Sequence, residues 1–200
     1  MFLRNRHGLG VRLIFALGAM ALFVLGYQWG NQQQFGHAEP ARIHGVLIQP
    51  PGEIPEFSLR DPFGQPVGRA DLVEGWTLLA FGDLADASGQ RAAQRLIETR
   101  NRLADRPPLI ASLRLILIQT SERLEPARDF ARLSPALRPL AGPPESIAPL
   151  RDALGLTSEV VPALFVIGPD ARLLAILPET ESGAGMAEDI ETLIATQARP

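Results

Sequence analysis

Few side chains in this 200-residue chain could do chemistry, and those that could gather in one stretch, Trp76–Gln90 (WTLLAFGDLADASGQ). Asp83 and Asp86 are carboxylates three apart, a spacing that would suit a general acid/base pair or two ligands to a hard cation. Ser88 offers a hydroxyl and Gln90 an amide. A serine nucleophile needs a base within hydrogen-bond reach, and no histidine follows His44. The chain has no cysteine, which excludes disulfides, thiol redox chemistry and thiolate metal sites. All 19 basic residues are arginine, which excludes Schiff-base lysines and Walker-type phosphate loops. Helix capping and placement at the positive end of a helix account for Asp83 and Asp86 without any reaction, at about 0.3–1 kcal/mol each. No residue is assigned a catalytic role, and no metal or cofactor is expected.

The elements around these residues place them. Trp76–Phe81 is a compact apolar run, as in a buried central strand, and it breaks at Gly82. A helix is predicted over roughly Gly89–Ala104, capped by Ser88 or Asp86, with Ala92, Leu96 and Leu103 on its buried face and Arg91, Arg95 and Arg102 on its wet one. A loop leaving the carboxyl end of a central strand for a helix N-terminus is where open α/β sheets place their chemistry.

The rest of the chain alternates. Val46–Pro55 is extended and punctuated by proline, Phe57–Leu59 reads as a short edge strand, and Asp61-Pro62-Phe63-Gly64 as a turn. Pro107-Pro108 is expected to end the first helix. Leu113–Ile118 is a second buried strand, and a helix from Ser121 carries Phe130 inward. Leu137–Gly142 is strand-like, Pro144–Ala153 helical and stopped by Gly155. Ala163–Ile167 and Leu173–Leu177 form a hairpin, and about Met186–Thr196 makes the last helix. Met186 reads as packing at that helix start. The order predicts an α/β fold with a thioredoxin-like central sheet flanked by helices. A flavodoxin-like sheet would need a helix between Ile167 and Leu173, where only a turn fits.

Leu13–Gly30 holds 18 uncharged residues. At about 1.5 Å per residue they reach roughly 27 Å, close to the ~30 Å of a bilayer core. Arg4, Arg6 and Arg12 predict that residues 1–12 stay in the cytoplasm, while Tyr27 and Trp29 suit the far interface. The expectation is a transmembrane anchor over 13–30, a tether over 31–45 and the domain over 46–200, on the periplasmic side of a bacterial inner membrane. Cleavage as a signal peptide near Gly36-x-Ala38 is the alternative. His37 and His44 read as tether histidines. From Ala38 onward 16 arginines face 22 acidic residues, a charge of −6 that argues against nucleic acid as a partner.

Several segments together resemble the SCO/SenC family, membrane-anchored thioredoxin-like copper chaperones of cytochrome c oxidase assembly. They are Gly45-Val-Leu-Ile-Gln-Pro-Pro, Ile54-Pro-Glu-Phe-Ser-Leu, Phe63-Gly-Gln-Pro, Gly75-Trp-Thr-Leu-Leu-Ala-Phe-Gly, Pro139–Gly155 and Phe165-Val-Ile-Gly-Pro-Asp-Ala-Arg-Leu. The family follows its Phe-Gly with a C-x-x-x-C-P copper motif. An ungapped match puts Asp86 and Gln90 at the two cysteine positions and Arg91 at the proline. The family's third ligand, a histidine before the last strands, has no counterpart, and Val160 stands nearest by spacing. Pro162 resembles the cis-proline beside the active-site loop of many thioredoxin-like proteins, so a cis bond at Val161-Pro162 is expected.

The resemblance therefore implies a degenerate active-site loop, with Asp83, Asp86, Ser88, Gln90 and Pro162 in place of working ligands. It implies a non-redox, non-enzymatic protein that binds other proteins, oxidase subunits or copper chaperones among them. The alternatives are residual metal binding through Asp83, Asp86 or the tether histidines, and a carboxylate-dependent enzyme.

Overall fold

The computed structural model describes residues 17–23, 42–121, 125–156 and 163–197. The chain divides into two compact units, Met1–Pro40 and Ala41–Pro200. In the first, residues 17–23 are helical (α1), with Leu17, Met20, Leu22 and Phe23 all exposed. Among the described residues no helix is long and apolar enough to cross a membrane. Most of the segment 13–30 lies outside the described residues.

Among its described residues the second unit is built on eight strands: β1 (Val46–Glu53), β2 (Ser58–Arg60), β3 (Pro66–Gly68), β4 (Trp76–Phe81), β5 (Leu113–Ile118), β6 (Leu137–Leu140), β7 (Ala163–Ile167) and β8 (Arg172–Pro178). Five α-helices and one 3-10 turn (Arg69–Leu72) accompany them there: α2 (Ala87–Arg102), α3 (Pro107–Ser112), α4 (Glu125–Leu133), α5 (Pro144–Ala153) and α6 (Gly183–Gln197). Six strands form one mixed sheet in the order β1-β8-β7-β4-β5-β6, and β2 and β3 make a separate hairpin. Central β4 pairs in parallel with β5, from Trp76↔Leu113 to Phe81↔Ile118, and antiparallel with β7. A parallel neighbour requires a crossover, which α2 and α3 supply.

The largely apolar character of β4, broken only by the buried Thr77, follows from cover on both faces. Leu78 and Ala80, with Leu115, Leu117 and Val166, face a core closed by Ala92, Ala93 and Leu96 of α2 and by Met186, Ile190 and Leu193 of α6. Leu79, with Ile116, Ile118 and Phe165, faces a second core closed by Ile147 and Leu150 of α5 and by Leu59 and Val67 of the hairpin. Phe165 meets Phe81 edge to face, with ring centroids 6.1 Å apart.

Several boundaries differ from expectation. The extended Val46–Pro55 segment supplies a sheet strand, β1, antiparallel to β8. Strand-like Leu137–Gly142 contributes β6, parallel to β5 at the opposite edge. Pro107-Pro108 do not end α2, which stops at Arg102. They open α3, because a proline at the first helical positions gives up no needed N–H. Helix α6 begins at Gly183, three residues before Met186, whose side chain is buried with its sulfur 3.6 Å from the Thr99 hydroxyl. Val161-Pro162 lies outside the described residues.

Candidate functional site

The site is built from the carboxyl end of β4. The Gly82 N–H donates to the Ile118 carbonyl at 3.0 Å and carries the parallel ladder one step past Phe81. The chain then folds back on itself. The Asp83 carbonyl accepts from the Asp86 N–H at 2.9 Å, and its Oδ1 accepts from the Ala85 N–H at 2.8 Å. This is an Asx turn, the conformation aspartate favours by bonding its own backbone two residues on. Asp83 is buried at 4% exposure, so its carboxylate is spent on shaping the loop.

Asp86 stands at the N-cap of α2 in extended conformation and its carbonyl accepts from the Gln90 N–H at 3.1 Å, but its side chain makes no cap bond. Ser88 lies inside the first turn of α2 and is therefore not the cap. Asp86, Ser88 and Gln90 are exposed. The Gln90 side chain reaches back, its Nε2 donating to the Leu84 carbonyl at 3.1 Å. Asp83 and Asp86 thus share one loop in different settings: one is buried and committed to the turn, the other open to solvent. Pro162, expected beside them, lies outside the described residues.

Sequence reasoning missed Gln119. It is fully buried at the end of β5, and its Oε1 accepts from the Leu84 N–H at 3.2 Å. Its own N–H donates to the Leu140 carbonyl at 2.7 Å, which ties the loop to β6. Its Nε2 has no protein acceptor among the described residues. The available signal was a polar residue directly after the run LRLILI, at the end of a strand that pairs in parallel with β4.

Glycine permits the close approach of loop and helix. A Cβ on Gly82 would stand 2.6 Å from the Gly89 Cα, and a Cβ on Gly89 would fall on the Asp83 backbone. Beside the loop an open groove of about 670 Å³ runs between α2 and α4, with Leu84, Gln90, Ile97 and Phe130 among its lining residues. Of these, Leu84 belongs to the loop and Gln90 to the first turn of α2. Along α2, Arg95 bonds Glu98 at 3.3 Å and Arg91 lies 3.7 Å from the Glu179 carboxylate. The arrangement offers an amide, a hydroxyl, a helix N-terminus and an apolar trough. Among the described residues of the loop no base is set against the Ser88 hydroxyl.

No family model matches the sequence, and no curated protein matches it. Solved structures do. The copper-bound ScoI of Arabidopsis thaliana is 14% identical with a TM-score of 0.61, over 70% of this chain and 98% of that one. Yeast Sco1 is 12% identical with a TM-score of 0.62, over 73% of this chain and 98% of its own. The chain has the Sco-type thioredoxin-like fold. A thiol:disulfide interchange protein of the thioredoxin family from Chlorobium tepidum also matches, at 16% identity and a TM-score of 0.56, over 72% of this chain and 97% of that one. At such identities the likeness is one of fold. In this Sco-type fold the segment Gly82–Asp86 leaves the central strand β4 for α2, and the sequence places no thiol there or in the first turn of that helix.

Proposed function

We propose that the chain is a membrane-anchored, non-redox member of the Sco-type structural class that acts by binding other proteins during assembly of cytochrome c oxidase or another respiratory complex. One observation carries the reading: a Sco-type fold in a chain without any cysteine, in which the ungapped sequence match sets Asp86 and Gln90 at the cysteine positions of the SCO/SenC motif. Cu(I) is taken by soft thiolate and thioether ligands. The chain has no cysteine and only three methionines, of which Met186 is buried against Thr99. What remains at the loop is a rigid helix start next to an apolar groove, which suits a protein segment. Anchoring through residues 13–30 draws support from α1, whose apolar side chains are exposed, and a periplasmic domain from Arg4, Arg6 and Arg12 ahead of that segment.

The test is site-specific crosslinking in native membranes, from a photoreactive residue at Gln94 or Asn101 in the groove. The expected capture is an oxidase subunit or an oxidase-assembly protein, lost when Ile97→Arg blocks the trough. Recovery of no respiratory-assembly component overturns the reading.

A further inference from the structure

Away from the loop, the start of the domain is tied to its last helix by a cluster that the sequence order conceals. The backbone N–H of His44 donates to Asp189 Oδ1 at 2.9 Å and that of Gly45 to Oδ2 at 2.7 Å, while His44 Nδ1 lies 3.1 Å from Oδ1. Asp189 is 2% exposed on α6, whereas the His44 ring is open to solvent. Glu181, in the turn between β8 and α6, completes the group: one ligand atom from each of His44, Glu181 and Asp189 lies within 4.8 Å of the other two. Both Glu181 carboxylate oxygens are shut off from solvent, and no protein donor among the described residues bonds either one. A carboxylate whose oxygens are shut off from water without a donor favours taking up a proton or a cation.

Space is reserved around these oxygens. A Cβ on Gly185 would stand 2.8 Å from Glu181 Oε1, and one on Gly45 would stand 3.3 Å from Asp189 Oδ2 and 2.6 Å from Leu177 Cδ2.

We propose that His44, Glu181 and Asp189 form a binding site for a divalent first-row cation, which clips the start of β1 to the turn between β8 and α6. The geometry is close to what such an ion needs. Three atoms no more than 4.8 Å apart have a common point at most ~2.8 Å from each, so closure by ~0.7 Å yields bonds near 2.1 Å. The 3.1 Å between His44 Nδ1 and Asp189 Oδ1 is already near the ~3.3 Å edge of a tetrahedral zinc site.

The donor set, one imidazole and two carboxylates, selects borderline ions such as Zn²⁺. It lacks the sulfur that Cu(I) prefers and the six to eight oxygens that Ca²⁺ takes. On binding, His44 Nδ1 gives its lone pair to the metal in place of its contact with Asp189, and Nε2 keeps its proton toward solvent. The exposed ring leaves a path for the ion to arrive. The electrostatics agree: burial, and then the neighbouring Asp189, push the Glu181 carboxyl above the usual range. An ion placed between the two carboxylates relieves both effects.

The measurement is isothermal titration of the purified, chelator-treated full-length chain with Zn²⁺, Mn²⁺ or Ca²⁺, each as the metal alone. One equivalent of Zn²⁺ is expected to bind with a Kd below about 10 μM, at least about 100-fold tighter than Ca²⁺. Glu181→Gln and His44→Ala should each weaken Zn²⁺ by about 100-fold, since removing even an outer-shell partner costs 10–100-fold. Asp86→Asn, at the loop, should leave the Zn²⁺ affinity unchanged. His44→Ala removes an exposed ring, so its effect is read on a folded protein. Absence of Zn²⁺ binding at about 100 μM, or equal binding by the Glu181→Gln and His44→Ala chains, overturns the proposal. Absence of binding together with a raised melting temperature for Glu181→Gln overturns it in favour of a proton shared between the two carboxylates.

Discussion

Gly89→Ala gives the sharpest test of how the loop is held. By helix propensity alone the substitution should stabilise the chain, because alanine exceeds glycine by about 1 kcal/mol inside a helix. Gly89 is the third residue of α2 and its backbone is not in the left-handed region, so no conformational penalty cancels that gain. The contacts predict the opposite sign. The added methyl would overlap the Asp83 carbonyl and stand 2.6 Å from the Asp83 nitrogen. These are backbone atoms of a turn fixed by two hydrogen bonds, so they cannot swing aside as the end of a side chain would. Overpacking of this kind costs about 1–3 kcal/mol, and collision with fixed backbone belongs at the upper end.

Subtracting the propensity gain leaves a net loss of about 2 kcal/mol, or a melting temperature lower by about 4–8 °C for a chain of this size. Urea unfolding of the full-length chain, followed by circular dichroism and analysed at constant m, measures it. Gly64→Ala is the control: with φ of 87° and nothing near the new methyl, it should lose only the ~1 kcal/mol of a left-handed alanine. A Gly89→Ala chain as stable as wild type, or more so, would refute the tight seat of the loop on α2.

Leu79→Ala in central β4 removes a fully buried side chain from the core beneath α5 and should cost about 3–4 kcal/mol in the same urea assay. Asp83→Ala should cost about 1–2 kcal/mol, through loss of the part-buried Ala85 N–H bond and of the side chain that shapes the turn, while Asp86→Ala should stay within about 0.5 kcal/mol because its side chain makes no cap bond. Equal effects at the two aspartates would contradict their separate settings. For pH, the folded state raises Glu181 by burial and raises His44 through its bond to Asp189, so it holds both protons more tightly than the unfolded chain does. The stability these protons confer is present at low pH and is lost as pH rises, from the usual carboxylate value of 4.5 for Glu181 and from 6.5 for His44. Thermal melts of chelated protein should therefore show Glu181→Gln gaining on wild type as pH rises above 4.5. A difference that does not vary with pH would refute this.

The sequence by itself determined the central elements and their chemistry. The β4, β5 and β7 runs are apolar apart from Thr77 and Arg114 because both faces of the sheet are covered, and that pattern is readable without knowing what covers them. The lack of cysteine and lysine closes whole classes of reaction at any fold. The position of the Asp83–Gln90 loop followed from a strand meeting a helix pattern. The tertiary structure decided what depends on distant partners. Val46–Glu53 is a sheet strand only because β8 lies beside it, and its prolines hide that pairing from any local signal.

That Asp83 turns the chain shows in its burial and in two short hydrogen bonds, which spacing cannot reveal. Gln119 supports the loop from 35 residues away, through a register that only the β4–β5 pairing sets. His44 and Asp189, 145 positions apart, carry no motif at all. Their meeting, with Glu181, results from β1 lying against β8 at the point where that strand turns into α6.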